Sequence, residues 1–315
     1  MELPLEYKNK LESLLEGYSL KQLKDCSLLL SDRYNSGINN HISEELLLKV
    51  YAVSRYPATY KAFSTALGYS LAHYNGEIKS VTDVGAGSGA ASLACAHLLE
   101  LDKLTLLEKE PTMIEIGKFL FEETEYKNKI EYKELDITKN SIEGVSDMVI
   151  SSYVLNELDD IGRINCINQM WNIANKVVVF VEPGTPKGFA IIKQVRDYLI
   201  SLGGHILAPC PHMGECPIRD NDWCHFSTRV MRSKLHKQLK GGDAPYEDEK
   251  FSYIAFSKEE CSHCESRILR HPIINPGFVE LQVCSQKGLE KIKVTKKEKE
   301  RYKSARKCDA GDELK

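Results

Sequence analysis

The sequence predicts an α/β fold, a mostly parallel sheet with helices on both faces, joined to a helical N-terminal region. Three observations predict it. Residues 80–84 (S-V-T-D-V) form a short β-rich run that passes through a glycine-rich turn, residues 85–89, into a helical run starting at Ala90. Strand-like runs then recur at the intervals of repeated βα units, at 103–108, 129–137, 147–153 and 176–184. The last of these, K-V-V-V-F-V-E-P-G, is almost continuously apolar, as a central strand covered on both faces requires.

Taken in order, residues 1–76 carry apolar side chains at helical spacing, as in Leu11, Leu14 and Leu15, then Leu46, Leu47, Val50 and Val53. Ser43 followed by Glu44 and Glu45 is a helix start, since the hydroxyl accepts from a free backbone N–H and the acids suit the positive end of the helix. Pro57 interrupts the run 51–63 and predicts a kink or restart, hence two packed helices. Arg55 in that run is either an ordinary exposed cation or a contact to RNA phosphate.

The α/β core is assigned to 77–204. Gly85, Gly87 and Gly89 follow the first strand and open the first core helix, so backbone N–H groups face any ligand placed there. The next strand ends at Glu108, about 20 residues on, where a carboxylate can take both ribose hydroxyls. Asp83 precedes the first glycine, and the spacing D-V-G-A-G-S-G lacks the third glycine position of the dinucleotide fingerprint. It resembles motif I of the class I S-adenosylmethionine-dependent methyltransferases, which implies that Rossmann-like fold, S-adenosylmethionine as the cofactor, and Asp83 near its methionine portion. Asp136, at the end of the third strand, is placed either against adenine, as that class often has it, or as a helix cap.

A Cys-rich insertion, 205–250, follows. Cys210, Cys216 and Cys224 stand as Cys-x5-Cys-x7-Cys in a Pro- and Gly-rich loop, a pattern that gathers thiols on a metal when a fourth ligand is supplied. The spacing is wider than the Cys-x2-Cys of a zinc ribbon, which favours an iron–sulfur cluster and leaves zinc, or unliganded thiols, as alternatives. The candidates for the fourth ligand are Cys261 and Cys264 in a polar, loop-like stretch, Cys284 on an apolar strand, His212 and His225. Residues 251–286 contain two runs, 251–257 and 278–285, that read as the closing strands of the core. Residues 287–315 read as a basic C-terminal tail. From 287 to 307 it has ten Lys or Arg against three Glu, enough to neutralise RNA phosphates or merely to solvate a chain end.

Composition bounds the function. A chain of 315 residues with 42% hydrophobic content buries a core without staples. A formal charge of −3 excludes a uniformly polybasic nucleic-acid binder, and no DNA partner is expected. No run approaches the roughly 18 apolar residues of a membrane span. Ten cysteines with no apolar leader point to a reducing compartment, and Glu2, Glu6 and Glu12 without an Arg speak against a transit peptide. The expected location is the cytoplasm, or the mitochondrial matrix for a mature organellar form.

Several stretches then fall together: R-Y-P-A-T-Y at 55–60, D-V-G-A-G-S-G at 83–89, V-E-P-G-T-P-K-G-F at 181–189, C-P-H-M-G-E-C-P at 210–217, W-C-H-F at 223–226, E-K-F-S-Y-I at 249–254 and Y-K-S-A-R-K at 302–307. Jointly they resemble the methyltransferase-like proteins that associate with the small ribosomal subunit in mitochondria, and their bacterial relatives. The resemblance implies a 4Fe–4S cluster on Cys210, Cys216, Cys224 and Cys284, and a role in assembling the small ribosomal subunit by binding its rRNA. One departure is C-D-A-G-D at 308–312, where the family has a Trp before Gly-Asp, which bears on how the C-terminus docks. The alternative is an active rRNA methyltransferase. The region after the fourth strand, 151–158, has neither Asn-Pro-Pro-Tyr nor a Pro-Cys pair, so neither adenine N6 nor cytosine C5 chemistry is indicated. Pro209-Cys210 is such a pair, but it follows the fifth strand and its thiol serves better as a metal ligand. Asn156 and Glu157 are placed either against a substrate base or at the start of a helix, and no catalytic residue is assigned.

Overall fold

The computed structural model describes residues 1–35, 45–219, 221–240 and 242–314, with the side chains of 31–35 excluded. Ser43 and Glu44 of the expected helix start lie outside the described residues. The N-terminal region consists of α1 (Leu5–Ser13), α2 (Leu20–Asn35) and α3 (Glu45–Leu71). Contrary to the expected break, α3 runs through Pro57 as one helix. A proline inside a helix costs about 3 kcal/mol. Fifteen buried side chains of α3, among them Val50, Tyr56, Tyr60, Phe63 and Leu67, supply the compensating packing.

Five parallel strands follow, β1 (Ser80–Val84), β2 (Lys103–Glu108), β3 (Ile130–Glu134), β4 (Ser146–Ser152) and β5 (Ala174–Pro183). They alternate with α4 (Ala90–Leu98), α5 (Pro111–Phe121), α6 (Asp160–Ile173) and α7 (Pro186–Ser201). After β6 (His205–Ala208), β7 (Phe226–Met231) and α8 (Lys234–Lys240), the long β8 (Tyr246–Ser257) enters the sheet antiparallel between β5 and β6. The order of the eight-stranded sheet is β3-β2-β1-β4-β5-β8-β6, with β7 paired to the first half of β8. Six parallel strands, β1 to β6, with the antiparallel β8 inserted between β5 and the edge strand β6, is the class I methyltransferase arrangement, a Rossmann-like sheet whose order reverses between β1 and β4.

Both faces of the sheet are covered, and the side-chain alternation shows it. Met148 and Ile150 of β4, with Val177, Val179 and Val181 of β5, join the core beneath α1–α5, whereas Val149, Val178 and Phe180 join the core beneath α6 and α7.

The C-terminal part departs from expectation. Residues 278–285 form β11 (Phe278–Ser285), which does not close the main sheet but lies in a separate four-stranded sheet with β9 (Ser266–Ile268), β10 (Ile273–Asn275) and β12 (Gly288–Thr295). The main sheet is closed instead by β6, which the expected boundaries had placed in the insertion. Nor is 287–315 a loose tail: β12 pairs along the whole of β11, and α9 (Lys299–Ala305) buries Tyr302 and Ala305 against Val279, Leu281, Val283 and Val294. The C-D-A-G-D segment docks without the family's Trp. Gly311 N–H bonds Ile268 O at 2.8 Å, Ile268 N–H bonds Asp312 O at 2.9 Å, and Glu313 meets His73 of the region after α3 at 2.6 Å.

Candidate functional site

At the reversal point, Gly85, Gly87 and Gly89 have φ values of +72°, +54° and +88°, a region glycine enters at no cost. A side chain at Gly85 would meet Val154 at 2.5 Å, and one at Gly89 would meet Phe121 at 2.7 Å. The loop is stapled to β2 by the N–H groups of Gly85 and Ala86, which bond Leu107 O at 2.9 and 3.0 Å. Gly89 caps α4 with no side-chain acceptor, so N–H groups of the first helical turn stay available to a ligand.

The three acidic candidates behave differently. Asp83 is buried; Ser92 Oγ donates to its Oδ2 at 2.7 Å while Oδ1 has no partner. Burial pushes its pKa up to about 7, against the pull of Ser92. Glu108 accepts from Gly87 N–H at 2.8 Å on one oxygen and from the N–H groups of Lys109 and Glu110 at 2.9 Å on the other. Oε1 is thus filled, while Oε2 keeps a lone pair for a hydroxyl. Asp136, two residues past β3, closes its own turn: Oδ1 accepts from Thr138 N–H and Oγ1 at 3.0 and 2.6 Å, and Oδ2 pairs with Lys139. Those hydrogen bonds, Thr138 first, lower its pKa to about 2. No helix follows Asp136, so in place of the expected helix cap it closes a turn, and its carboxylate is not turned toward a ligand.

The wall opposite the glycine loop is the segment after β4. Tyr153 adopts φ +62°, unusual for a bulky residue, and its hydroxyl donates to Glu249 Oε1 at 2.8 Å. Glu249 is also gripped by Arg55 through two bonds of 2.8 and 3.1 Å, and the guanidinium lies 5.5 Å from the Tyr153 ring centroid. Arg55 is thus committed to an intramolecular pair. Asn156 donates to Glu182 Oε2 at 2.8 Å and Leu155 N–H to Oε1 at 2.8 Å. Glu182 is buried, and burial raises its pKa to about 7.

The Cys loop packs between the end of β5, β8 and the second sheet. Trp223 Nε1 donates to Gly184 O at 2.9 Å, Ser252 Oγ to Cys224 O at 2.7 Å, and Gln286 Nε2 to Pro211 O at 3.2 Å. Cys210, Cys216, Cys224 and Cys284 all line one cavity of ≈ 40 Å³. Cys284 arrives there because Val279, Leu281 and Val283 point into the second sheet's own core, which turns the next residue to the other face. His212 also lines the cavity, with Nε2 3.7 Å from Cys284 Sγ. Cys261 and Cys264 do not. Their thiols lie 3.5 Å from Ile206 O and 3.7 Å from Pro209 O, and Cys264 is buried despite its polar neighbours in sequence. His225 stacks on Trp223 instead. Burial pushes the Cys210 thiol up to about 11, although Arg196 pulls the other way, and Cys284 up to about 12, so neither ionises at neutral pH by itself. Among the described residues no group of three or more Cys, His, Asp or Glu side chains is placed to hold a metal ion, although the four cysteines line the same cavity.

Sequence reasoning missed Glu182, Arg196 and Tyr253. The signal for Arg196 was present: it lies among Ile192, Val195 and Leu199 on the buried face of α7, where an arginine is out of pattern. Glu182 was likewise an acid at the end of an apolar run. Nothing distinguishes Tyr253 in sequence from an ordinary core aromatic.

Compared with known proteins, the chain matches over residues 46–315 the family described as mitochondrial small ribosomal subunit Rsm22. It is 27% identical to the human "Ribosome assembly protein METTL17, mitochondrial" over a stretch covering 45% of this chain and 33% of that protein. It is 22% identical to the "Rsm22-cox11 tandem protein 2, mitochondrial" of Schizosaccharomyces pombe, covering 52% of this chain and 28% of that protein. The matches thus span about a third of these relatives. Among solved structures, it is similar to the N-methyltransferase NodS of Bradyrhizobium japonicum in complex with S-adenosyl-L-homocysteine, at 14% identity and a TM-score of 0.42, over 65% of this chain and 89% of that one. The fold assignment rests on the strand order and not on that likeness.

Proposed function

From the premise that the chain belongs to the Rsm22 family, we propose that it is an assembly factor of the small ribosomal subunit that binds S-adenosylmethionine, carries a 4Fe–4S cluster and contacts small-subunit rRNA. The cofactor is held between the glycine loop and the 153–157 wall. Three features fit it: the side-chain-free cradle at Gly85, Gly87 and Gly89, the unpartnered Asp83 Oδ1 for a donor on the methionine end, and Glu108 Oε2 for a ribose hydroxyl. When bound, it supplies an electrophilic methyl group. Asp136 would turn toward adenine only by giving up its bonds to Thr138 and Lys139.

The single observation that favours an assembly factor over an enzyme is the state of the acceptor side. The Tyr153 hydroxyl is tied to Glu249 and Asn156 Nδ2 to Glu182, so in the ligand-free protein these groups brace the wall that faces the glycine loop. Cys210, Cys216, Cys224 and Cys284 would hold the cluster. A tetrahedral zinc site at Zn–S of about 2.3 Å draws four sulfurs to within about 4 Å of one another. That all four line one cavity supports a shared centre, and zinc remains the alternative to the cluster. The ten basic residues of 287–307 are all exposed, on β12, on α9 and beside them, and form a surface for RNA phosphates. The relatives are named as mitochondrial, and among the described residues no helix is long and apolar enough to cross a membrane. On this reading the protein works where small subunits are assembled, in the matrix or a bacterial-type cytoplasm.

The deciding experiment incubates anaerobically purified protein with labelled S-adenosylmethionine and small-subunit rRNA, with Gly87→Arg as the cofactor-blind control. An assembly factor binds the cofactor and leaves the RNA unlabelled. Label on one nucleotide, absent with the control, replaces this reading with that of an active rRNA methyltransferase.

A further inference from the structure

Among the described residues, the cavity that gathers the four thiols is lined by three residues with a buried donor that lacks an acceptor, Arg196, Tyr253 and Arg267. Arg196, on α7, is 3% exposed. Its Nη2 bonds the carbonyl oxygens of His212, at 3.2 Å, and Gly214, and its Nη1 pairs with Asp197 at 3.0 Å; its Nε has no partner. Tyr253, on β8, is 1% exposed, with its ring packed among Phe226, Phe251 and Tyr69 and its hydroxyl unpartnered. Both residues line the cavity.

Burying a donor without an acceptor is costly, and folded proteins rarely do it without reason. Here two elements of different origin, a crossover helix and the antiparallel strand, each bring one to a space whose ligand-bearing lining is sulfur. A neutral thiol is a weak acceptor; a thiolate bound to metal is a good one. The ionisable groups that act on Arg196 are Cys210 and Asp197, and those that act on Tyr253 are Arg267, Tyr69, Cys264 and Cys224. Arg267 also lines the cavity; its Nε and Nη1 are engaged by Pro209 O and Gly311 O, and its Nη2, without a hydrogen bond, lies 3.2 Å from the Glu313 carboxylate that neutralises its charge.

We infer that Arg196 and Tyr253 are positioning residues that donate hydrogen bonds to the metal-bound sulfurs, Arg196 at Cys210 and Tyr253 at the Cys224 side, and so hold the excess negative charge of a four-thiolate centre in an apolar setting. This rests on the proposed four-cysteine centre. Hydrogen bonds and a nearby cation at cluster sulfurs favour the more negative, reduced state, so the pair would raise the centre's reduction potential as well as its retention of metal.

The test compares wild type, Arg196→Met, Arg196→Lys and Tyr253→Phe, purified anaerobically with metal and sulfide quantified. Under EDTA challenge, Arg196→Met and Tyr253→Phe bind metal about 10–100-fold more weakly than wild type, and Arg196→Lys recovers part of the loss. In dithionite titrations of the iron form followed by electron paramagnetic resonance, the midpoint of Arg196→Met moves to more negative potential and Arg196→Lys restores it. Tyr253→Phe supplies the check against a merely structural role: its metal-free form melts at or above wild type, because the orphaned hydroxyl is gone, while its loaded form melts below. Unchanged metal retention in both variants, or equal losses in the loaded and metal-free forms, overturns the inference and leaves the centre standing. Wild type carrying zinc removes the cluster reading alone, and the EDTA comparison still decides the donors. Wild type that binds no metal removes both.

Discussion

Substituting Gln for Glu249 removes the charge from the clamp that ties α3 to β8 and to the segment after β4. The carboxylate accepts three hydrogen bonds, two from Arg55 at 2.8 and 3.1 Å and one from the Tyr153 hydroxyl at 2.8 Å. The side chains of Arg55 and Glu249 are 25% and 14% exposed, so the pair lies between the buried and the surface regimes. Leaving one member of a buried pair uncompensated costs about 3–5 kcal/mol. Solvent screening at the Arg55 end brings the expectation for Glu249→Gln to ~2–3 kcal/mol, with a similar figure for Arg55→Met. The double substitution deletes both charges together, and its cost is expected to be ~1 kcal/mol, mainly the weakened bond to Tyr153. Equilibrium denaturation of the four proteins completes the cycle, and in thermal melts each single variant falls by roughly 3–5 °C. A double variant whose loss equals the sum of the singles within about 0.5 kcal/mol would show that the two residues act independently, and the clamp would be refuted.

Other outcomes follow from the same geometry. Asp83 ionises near 3.8 when unfolded but only at about 7 when folded, so the folded state holds an extra proton between those values and ligand-free stability falls as pH rises from about 4 to 7. Asp83→Asn, which cannot ionise, therefore melts above wild type at pH 8 by the equivalent of ~2–4 kcal/mol and alike near pH 4; equal melting at both pH values would contradict the burial argument. Cys284→Ser loses the metal while Cys264→Ser keeps it, as read by elemental analysis, and the reverse pattern moves the fourth ligand to Cys264. Changing Lys291 and Lys293 to Gln reduces the slope of log affinity against log salt for rRNA by about 1.5–2 if both contact phosphate, and an unchanged slope places the RNA surface elsewhere.

How much of this was legible in the sequence depended on whether neighbours in sequence carried the signal. β2 begins and ends where the pattern placed it, because an apolar run bounded by polar residues is a local property. The continuous run of β5 announced a strand covered on both faces, and both cores use it. Pro57 misled because helix propensity is local while the packing that overrides it comes from α4, α5 and the sheet. The run that became β11 was placed in the wrong sheet, although F-V-E-L-Q-V-C-S alternates and so describes a strand with one covered face. That alternation also sets Cys284 opposite Val283, toward the Cys loop. Cys264 was judged by the charges around it, whereas its own side chain turns inward to Pro209 O. Orphaned donors such as Tyr253 Oη have no signature in sequence, because being unpartnered is a property of the folded surroundings.

The crevice and the cysteine cavity share their supports. At the end of β5, Glu182 holds the wall of the crevice through Leu155 and Asn156, and two residues later Gly184 O holds the Cys loop through Trp223. No side chain fits at Gly184, where a Cβ would lie 2.6 Å from the backbone of Lys250 and Phe251, or at Gly188, where it would lie 2.0 Å from Pro183 O. Thr185 then caps α7 through Gly188 N–H at 3.1 Å, and the helix carries Arg196 to Cys210 over about 15 Å of rigid rise. On β8 the same alliance recurs within five residues: Glu249 clamps Tyr153, Ser252 bonds Cys224 O, and Tyr253 lines the cavity. The crevice wall and the Cys loop therefore hang on the same segments of β5 and β8, so a substitution that displaces either segment disturbs both.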